Sequence, residues 1–250
     1  MALADPQRLA PLSGLRSRAV GFAKIVAFII VSSAILLTGL MAIALGAGWL
    51  PLPHPLYLVL QRLPIVFPLH MITSGLALML IPLALLLRHR PLLHRPVCRL
   101  AFCCVVIGAL SALPVALCSE ANAVARTGLF VQGVAWLGFA VAAVHAIRSG
   151  NFASHARRMI AVAAIASGAV WLRLVTSVAT ALMLPFDEVY AVAAWMCWLV
   201  PLGIVLAWTK QRATLSPRHP EVLALRSKVS LEGLTGKVMM ERGRRPSRAA

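Results

Sequence analysis

The sequence predicts an all-α membrane protein, a polytopic bundle of six transmembrane helices with both termini cytoplasmic. The chain of 250 residues is 60% hydrophobic and only 12% charged, with a mean hydropathy of +0.87. Soluble domains are about 45–50% apolar and about 25% charged. The charged residues are separated by long apolar gaps, and the positive charges fall mostly on alternate connections. These observations exclude a water-soluble globule.

Each long gap between charges can hold one membrane-spanning helix, because crossing a hydrocarbon core about 30 Å thick takes about 20 apolar residues. The six predicted spans lie near Phe22–Leu45, Ile65–Leu87, Val97–Cys118, Thr127–Ile147, Met159–Leu184 and Val189–Thr209. The first apolar run exceeds the roughly 7–15 residues of a signal-peptide core. We therefore interpret the first span as an uncleaved anchor.

The lysines and arginines predict the orientation, because positively charged connections stay on the cytoplasmic side of a membrane. They are concentrated in the N-terminal arm, the second and fourth connections and the C-terminal tail, whereas the opposite side has only Arg62 and Arg126. We expect a multi-pass protein of the bacterial cytoplasmic (inner) membrane. The net charge of +17 is then explained by orientation and by anionic lipid headgroups, so nucleic acid is not an expected partner.

The chain divides into an N-terminal arm (residues 1–21), a transmembrane domain (22–209) and a basic tail (210–250). The tail has too few apolar residues to form a core, so we expect it to be disordered, with one short helix around Glu221–Val229. The first outer loop carries three alternating prolines and then an apolar stretch ending at Arg62. This loop is expected to be extended at first and to lie in the membrane interface.

A polar site is expected inside the spans around His70 and Arg173. A charge in the middle of a span costs at least about 2.5–3.5 kcal/mol, so Arg173 should face the bundle interior and have a partner. His70, near the outer end of the second span, is close enough in depth to share one polar cavity with it. Tyr190 and Trp198 begin the sixth span on the same side and are candidate ligand contacts. The alternatives for Arg173 are a structural arginine that bonds backbone carbonyls and hydroxyls or snorkels outward, and capture of a lipid headgroup. The alternatives for the others are a buried neutral histidine and an aromatic interface belt.

A second group of polar residues is predicted at the inner surface, where His94, His145 and His155 lie at similar depth. Imidazole near neutrality can ligate a metal or haem. Haem b or a metal between His94 and His155, with His145 as a substitute, is therefore one interpretation. The simpler one is that each histidine hydrogen-bonds the connection preceding it and orders the turn.

The same polar residues carry a family resemblance. The segments Leu69-His-Met-Ile-Thr-Ser-Gly, His94-Arg, His155-Ala-Arg-Arg-Met-Ile, Trp171-Leu-Arg-Leu and Tyr190…Trp195-Met-Cys-Trp resemble the bacterial family of predicted membrane proteins called domain of unknown function 2306. The resemblance covers about Leu69 to Trp208. It implies the membrane architecture and, as candidate site residues, His70, His94, His155, Arg158, Arg173 and Trp198. Leu202 follows Pro201 here, where the family commonly has asparagine.

Two functional classes are consistent with the sequence. In the first, the protein is a non-catalytic transport, sensing or assembly component whose polar residues fix helix packing or bind a ligand. In the second, it is a membrane redox protein that binds b-type haem or a metal through histidines. The sequence has no nucleotide-binding, serine-hydrolase or zinc-protease motif. The outer half of the spans has one intramembrane histidine, His70, so a bis-histidine site there has no partner unless His54 of the first loop folds in. We therefore favour the first class.

Overall fold

The computed structural model describes residues 10–215, with side chains for residues 21–211. The described part is helical and contains no strand. Its α-helices are α1 (Ala10–Gly46), α2 (His54–Arg62), α3 (Val66–Leu86), α4 (Pro91–Leu117), α5 (Ala123–Arg148), α6 (Phe152–Ala181) and α7 (Phe186–Leu215). All of them except α2 are long and apolar enough to cross a membrane, which gives six candidate spans in the described residues. The predicted all-α bundle of six spans is confirmed. Residues 1–9 and 216–250, including the expected helix at Glu221–Val229, lie outside the described residues.

The helices on the basic side of the bundle begin earlier than the hydropathy pattern predicts. Helix α4 starts at Pro91 rather than at Val97, since proline is tolerated in the first helical turn, where its missing N–H would have no partner. Helix α6 starts at Phe152 rather than at Met159, and the Asn151 side chain accepts a 2.9 Å hydrogen bond from the Ser154 backbone N–H. Hydropathy alone misses such polar first turns, because they lie at the membrane surface.

The first loop contains a helix that the sequence reading did not predict. Residues 47–50 form a turn and a bend, Pro53 is extended, and the apolar stretch that follows forms α2. Val59 is only 2% exposed and belongs to a hydrophobic cluster that includes Phe67 and Met71 of α3. Helix α2 therefore covers one end of the bundle, which we call the α2 end. The opposite end, with the arginine-rich connections, is the basic end.

Helix α3 lies between α1 and α4, and α5 lies between α4 and α6. Helix α7 packs on α5 and α6, because Trp195 lies against Gly128 and Trp198 lies against Gly168. The main hydrophobic core includes Ile81, Val105 and Ile165. Small residues at the helix contacts allow the backbones to approach closely. This is usual in membranes, where the hydrophobic effect does not drive helices together because lipid is as apolar as their side chains.

Candidate functional site

A cavity of about 250 Å³ lies inside the bundle toward the α2 end. Leu56 and Val59 of α2 contribute to its lining, and on the side toward the basic end it is lined by Leu78, Trp136 and Ile165. The lining is mostly apolar. Its polar members come from α1, α3, α5, α6, α7 and the α4–α5 connection: Thr38, His70, Ser74, Ser119, Gln132, Arg173 and Tyr190.

Arg173 supplies the positive charge of the cavity. Its Nη1 donates a 3.0 Å hydrogen bond to the carbonyl of Ala169, one turn earlier in α6. A guanidinium has five N–H donors, and within residues 21–211 the structure gives this one neither a second hydrogen bond nor an ion pair. The side chain is half-buried. Most of its donors are therefore left to face the cavity that it lines.

His70 contributes one ring nitrogen to helix packing. Its Nδ1 lies 3.0 Å from the carbonyl oxygen of Gly108 in α4 and 3.2 Å from Oγ of Ser74. A carbonyl oxygen only accepts, so Nδ1 carries a hydrogen and donates it to Gly108. The two helices approach closely here, since a Cβ at position 108 would lie 2.9 Å from Oγ of Ser74 and would force that side chain to shift. For His70, the described residues provide no hydrogen bond to Nε2.

Tyr190 and Gln132 complete the polar lining. The Tyr190 ring stacks on Phe186 with centroids 5.5 Å apart, and no hydrogen bond from its hydroxyl is found among residues 21–211. Arg173, His70 and Tyr190 line the same cavity. Gln132 donates from Nε2 to the Ile165 carbonyl at 3.2 Å.

Gln132 is not among the site residues predicted from the sequence. It is the only glutamine within a span before the basic end of α7, which is a signal that could have identified it. An amide in an apolar span needs hydrogen-bond partners as much as a hydroxyl or an imidazole does.

Trp198 does not line this cavity. It is 3% exposed, it packs on Gly168, and its indole N–H donates a 3.0 Å hydrogen bond to the Ala194 carbonyl. Trp195 lies beside it with ring centroids 6.3 Å apart and donates from Nε1 to the Val124 carbonyl at 3.0 Å. The structure therefore gives both indoles a place in the contacts of α7 with α5 and α6.

His94 and His155 make equivalent contacts at the basic end. Each is the fourth residue of its helix, and its Nδ1 lies 2.9 Å from a carbonyl oxygen of the preceding membrane helix, Ala84 for His94 and Ala143 for His155. Arg158 reinforces the second contact by donating to the Ala142 carbonyl at 2.6 Å. These bonds tie α4 back to α3 and α6 back to α5.

The other contacts of the basic-end histidines are local. His145 is exposed, near the end of α5. Within the described residues, no three His, Cys, Asp or Glu side chains form a group suited to a metal ion. For His94, Nε2 lies 3.4 Å and Nδ1 lies 3.6 Å from Sγ of Cys98.

The chemistry of the cavity is set by its polar side chains. Its lining contains one guanidinium, an imidazole, a phenol, an amide and hydroxyls, but neither a carboxylate nor a thiol. An unpaired cation in an apolar enclosure favours binding of an anion.

The comparisons with known proteins agree with this architecture. A family model described as "Predicted membrane protein (DUF2306)" matches residues 67–209, from α3 into α7. The matched range includes all the residues on which the sequence resemblance rests, and that resemblance is confirmed. Neither the search of curated proteins nor the search of solved structures finds a match.

Proposed function

The chain belongs to the DUF2306 family of predicted membrane proteins, and from that premise we propose that it binds a small molecule in the cavity around His70 and Arg173. The binding is non-catalytic and serves transport, sensing or assembly in the membrane. The observation that carries the proposal is the Arg173 guanidinium, which lines the cavity without an acidic partner among residues 21–211.

An unpaired charge inside the membrane is energetically costly, so we expect it to be retained where it binds something. A charged side chain in the middle of a span costs at least about 2.5–3.5 kcal/mol, and such residues mark ligand or ion pathways. One hydrogen bond to the Ala169 carbonyl satisfies one donor of the guanidinium. A ligand that supplies acceptors to the remaining donors would offset much more of this cost.

The proposal is tested by the reactivity of a cysteine placed in the cavity. We choose Ala112→Cys, a small substitution at a lining position of α4, in a chain whose native cysteines are replaced by alanine. Anionic and cationic methanethiosulfonates of similar size are then compared. The cysteine should react at least about tenfold faster with the anionic reagent, because a positive cleft concentrates anions. Arg173→Gln should remove that preference.

The matched control is Leu110→Cys on the same helix, where the side chain is 52% exposed on the outside of the bundle. A thiol facing lipid ionises poorly and should react slowly with both reagents. If the cysteine at position 112 reacts no faster than the one at position 110, the cavity is not accessible to water and the proposal fails. It also fails if Arg173→Gln leaves the charge preference unchanged.

We also propose that the protein lies in the bacterial inner membrane with its basic end in the cytoplasm. The support is the concentration of arginine in the connections at 88–99 and 148–158, since such connections are retained on the cytoplasmic side. In intact cells, cysteines introduced at His54 and Asp187 should be labelled from outside. Labelling of a cysteine at Gly150 from outside would contradict the orientation.

The haem or metal alternative remains a prediction without a specific structural observation in its favour. It is tested by the absorption spectrum and metal content of protein purified from cells supplied with a haem precursor. A Soret band lost in His94→Ala or His155→Ala would establish it. Colourless protein without bound iron, copper or zinc would remove it.

A further inference from the structure

The size, charge and lining of the cavity together define a class of ligand. We infer that the cavity takes an amphipathic monocarboxylate of about ten non-hydrogen atoms, with its carboxylate on Arg173 and its apolar chain toward Leu78, Trp136 and Ile165. Medium-chain fatty acids and arylpropionates have this form. The inference rests on the proposed function, because it assigns the ligand of the same site.

The charge of the lining sets the charge of the ligand. Arg173 is the one cationic side chain among the lining residues, and none of them is a carboxylate. A monoanion therefore brings the net charge of the filled cavity to zero. A dianion such as a phosphate monoester leaves one charge uncompensated in a medium of low dielectric constant, which is strongly unfavourable.

The volume sets the size of the ligand. A cavity of 150 Å³ holds benzene, so about 250 Å³ corresponds to about ten non-hydrogen atoms at the same packing. A phospholipid with two acyl chains is several times larger. A free acid with one chain or one ring fills this volume by itself, whereas an intact lipid would leave most of its atoms outside the cavity.

The arrangement of the lining sets the orientation of the ligand. Arg173 and Ile165 are eight residues apart on α6, as are His70 and Leu78 on α3, and eight residues span about 12 Å along a helix. The polar groups lie at the end of this interval nearer α2, and the apolar side chains lie at the other end. An extended seven-carbon chain is about 7–8 Å long between its end carbons, because each bond of about 1.5 Å advances the zigzag chain by about 1.25 Å, so it fits within this interval.

The polar groups supply the donors that a carboxylate needs. Its two oxygens accept hydrogen bonds from the guanidinium of Arg173, whose planar fork matches a carboxylate. The Tyr190 hydroxyl lines the same cavity and can donate another. Arg173→Lys keeps the charge but loses the fork, so it should bind more weakly than the parent chain does.

The test uses the full chain with Ala112→Cys in nanodiscs of neutral phosphatidylcholine and measures protection from the anionic thiol reagent. Octanoate and 3-phenylpropionate should protect the cysteine. Octanol lacks the charge, acetate lacks the chain and suberate carries a second carboxylate, so none should protect at the same concentration. Arg173→Gln should weaken protection by octanoate about 10–100-fold, because it removes hydrogen bonds to a charged group. The matched control is Arg148→Gln, at an exposed position of the basic end. In this variant octanoate should protect the cysteine as well as it does in the parent chain.

The outcomes separate this inference from the proposed function. If the cysteine reacts in an Arg173-dependent manner but neither monocarboxylate protects it, the ligand class is wrong and the binding cavity stands. Equal protection by octanol and octanoate would also overturn the class, as would protection by phosphatidylglycerol without protection by octanoate. If the cysteine at position 112 does not react at all, the proposed function itself fails.

Discussion

Replacing Gly75 by alanine should separate α1 from α3. A Cβ built at Gly75 lies 2.7 Å from the carbonyl oxygen of Gly39, 3.0 Å from Cγ1 of Ile43 and 3.2 Å from Cβ of Ala42. The nearest of these atoms is backbone and cannot rotate away. Since ordinary contacts begin at 3.4 Å, the helices must move apart by about 0.7 Å, and a packed interface does not absorb such a shift without losing contacts.

The expected loss of stability follows from two opposing effects. Overpacking at a well-packed contact costs about 1–3 kcal/mol, and alanine recovers up to about 1 kcal/mol of helix propensity over glycine. With the full gain in propensity, the net effect is a decrease of about 0–2 kcal/mol in the free energy of unfolding, which is up to about 30-fold in the folded-to-unfolded ratio. Titration of the folded protein in mixed micelles with a denaturing detergent, followed by circular dichroism, measures this difference.

Gly138→Ala is the matched control for this prediction. A Cβ at Gly138 in α5 has no atom within 4 Å of it, so this substitution gains helix propensity without a clash and should leave stability unchanged or higher. The reasoning is refuted if Gly75→Ala is as stable as Gly138→Ala, because α1 and α3 would then not approach each other at Gly39 and Gly75.

Three further predictions follow from single contacts. Arg173→Leu should insert into the membrane at least as well as the parent chain, since it removes a charge that costs about 2.5–3.5 kcal/mol in a span. A cysteine at position 112 should then no longer prefer the anionic reagent. Poorer insertion, measured by membrane fractionation, would contradict this prediction. Glu120→Gln should change the free energy of unfolding by less than about 1 kcal/mol, because the 2.6 Å ion pair of Glu120 with Arg62 is solvent-exposed. This difference should shrink in about 1 M salt. A larger effect that does not depend on salt would mean that the pair is buried. His155→Ala should lower the free energy of unfolding by about 0.5–1.5 kcal/mol and speed amide hydrogen exchange at residues 149–151, because it removes the bond to the Ala143 carbonyl. The control is His145→Ala, at an exposed position. Equal exchange in the two variants would refute the role of His155.

Several features of the site were accessible from sequence and others were not. Arg173 and His70 are visible because a charge or an imidazole is costly in a long apolar run. The contacts of His94 and His155 follow from their position after a basic connection, where the preceding helix ends nearby. By contrast, Trp198 looks like a ligand contact by depth, whereas its rotation on α7 turns it toward Gly168 and the core. Gln132 carries no charge, and it was therefore not predicted as a site residue.

The sequence by itself determined the number and approximate position of the spans, because transfer of a segment into lipid depends on the composition of that segment alone. Which face of each span is buried was decided only by the tertiary structure. The spans are apolar all round, so no hydrophobic stripe selects a face, and lipid competes equally with protein for leucine and valine. The selection is made by close backbone approaches such as Gly39 with Gly75, and by bonds between distant residues such as His70 with Gly108. The cavity exists only where those contacts bring α3, α5 and α6 together, which is why no single segment could reveal it.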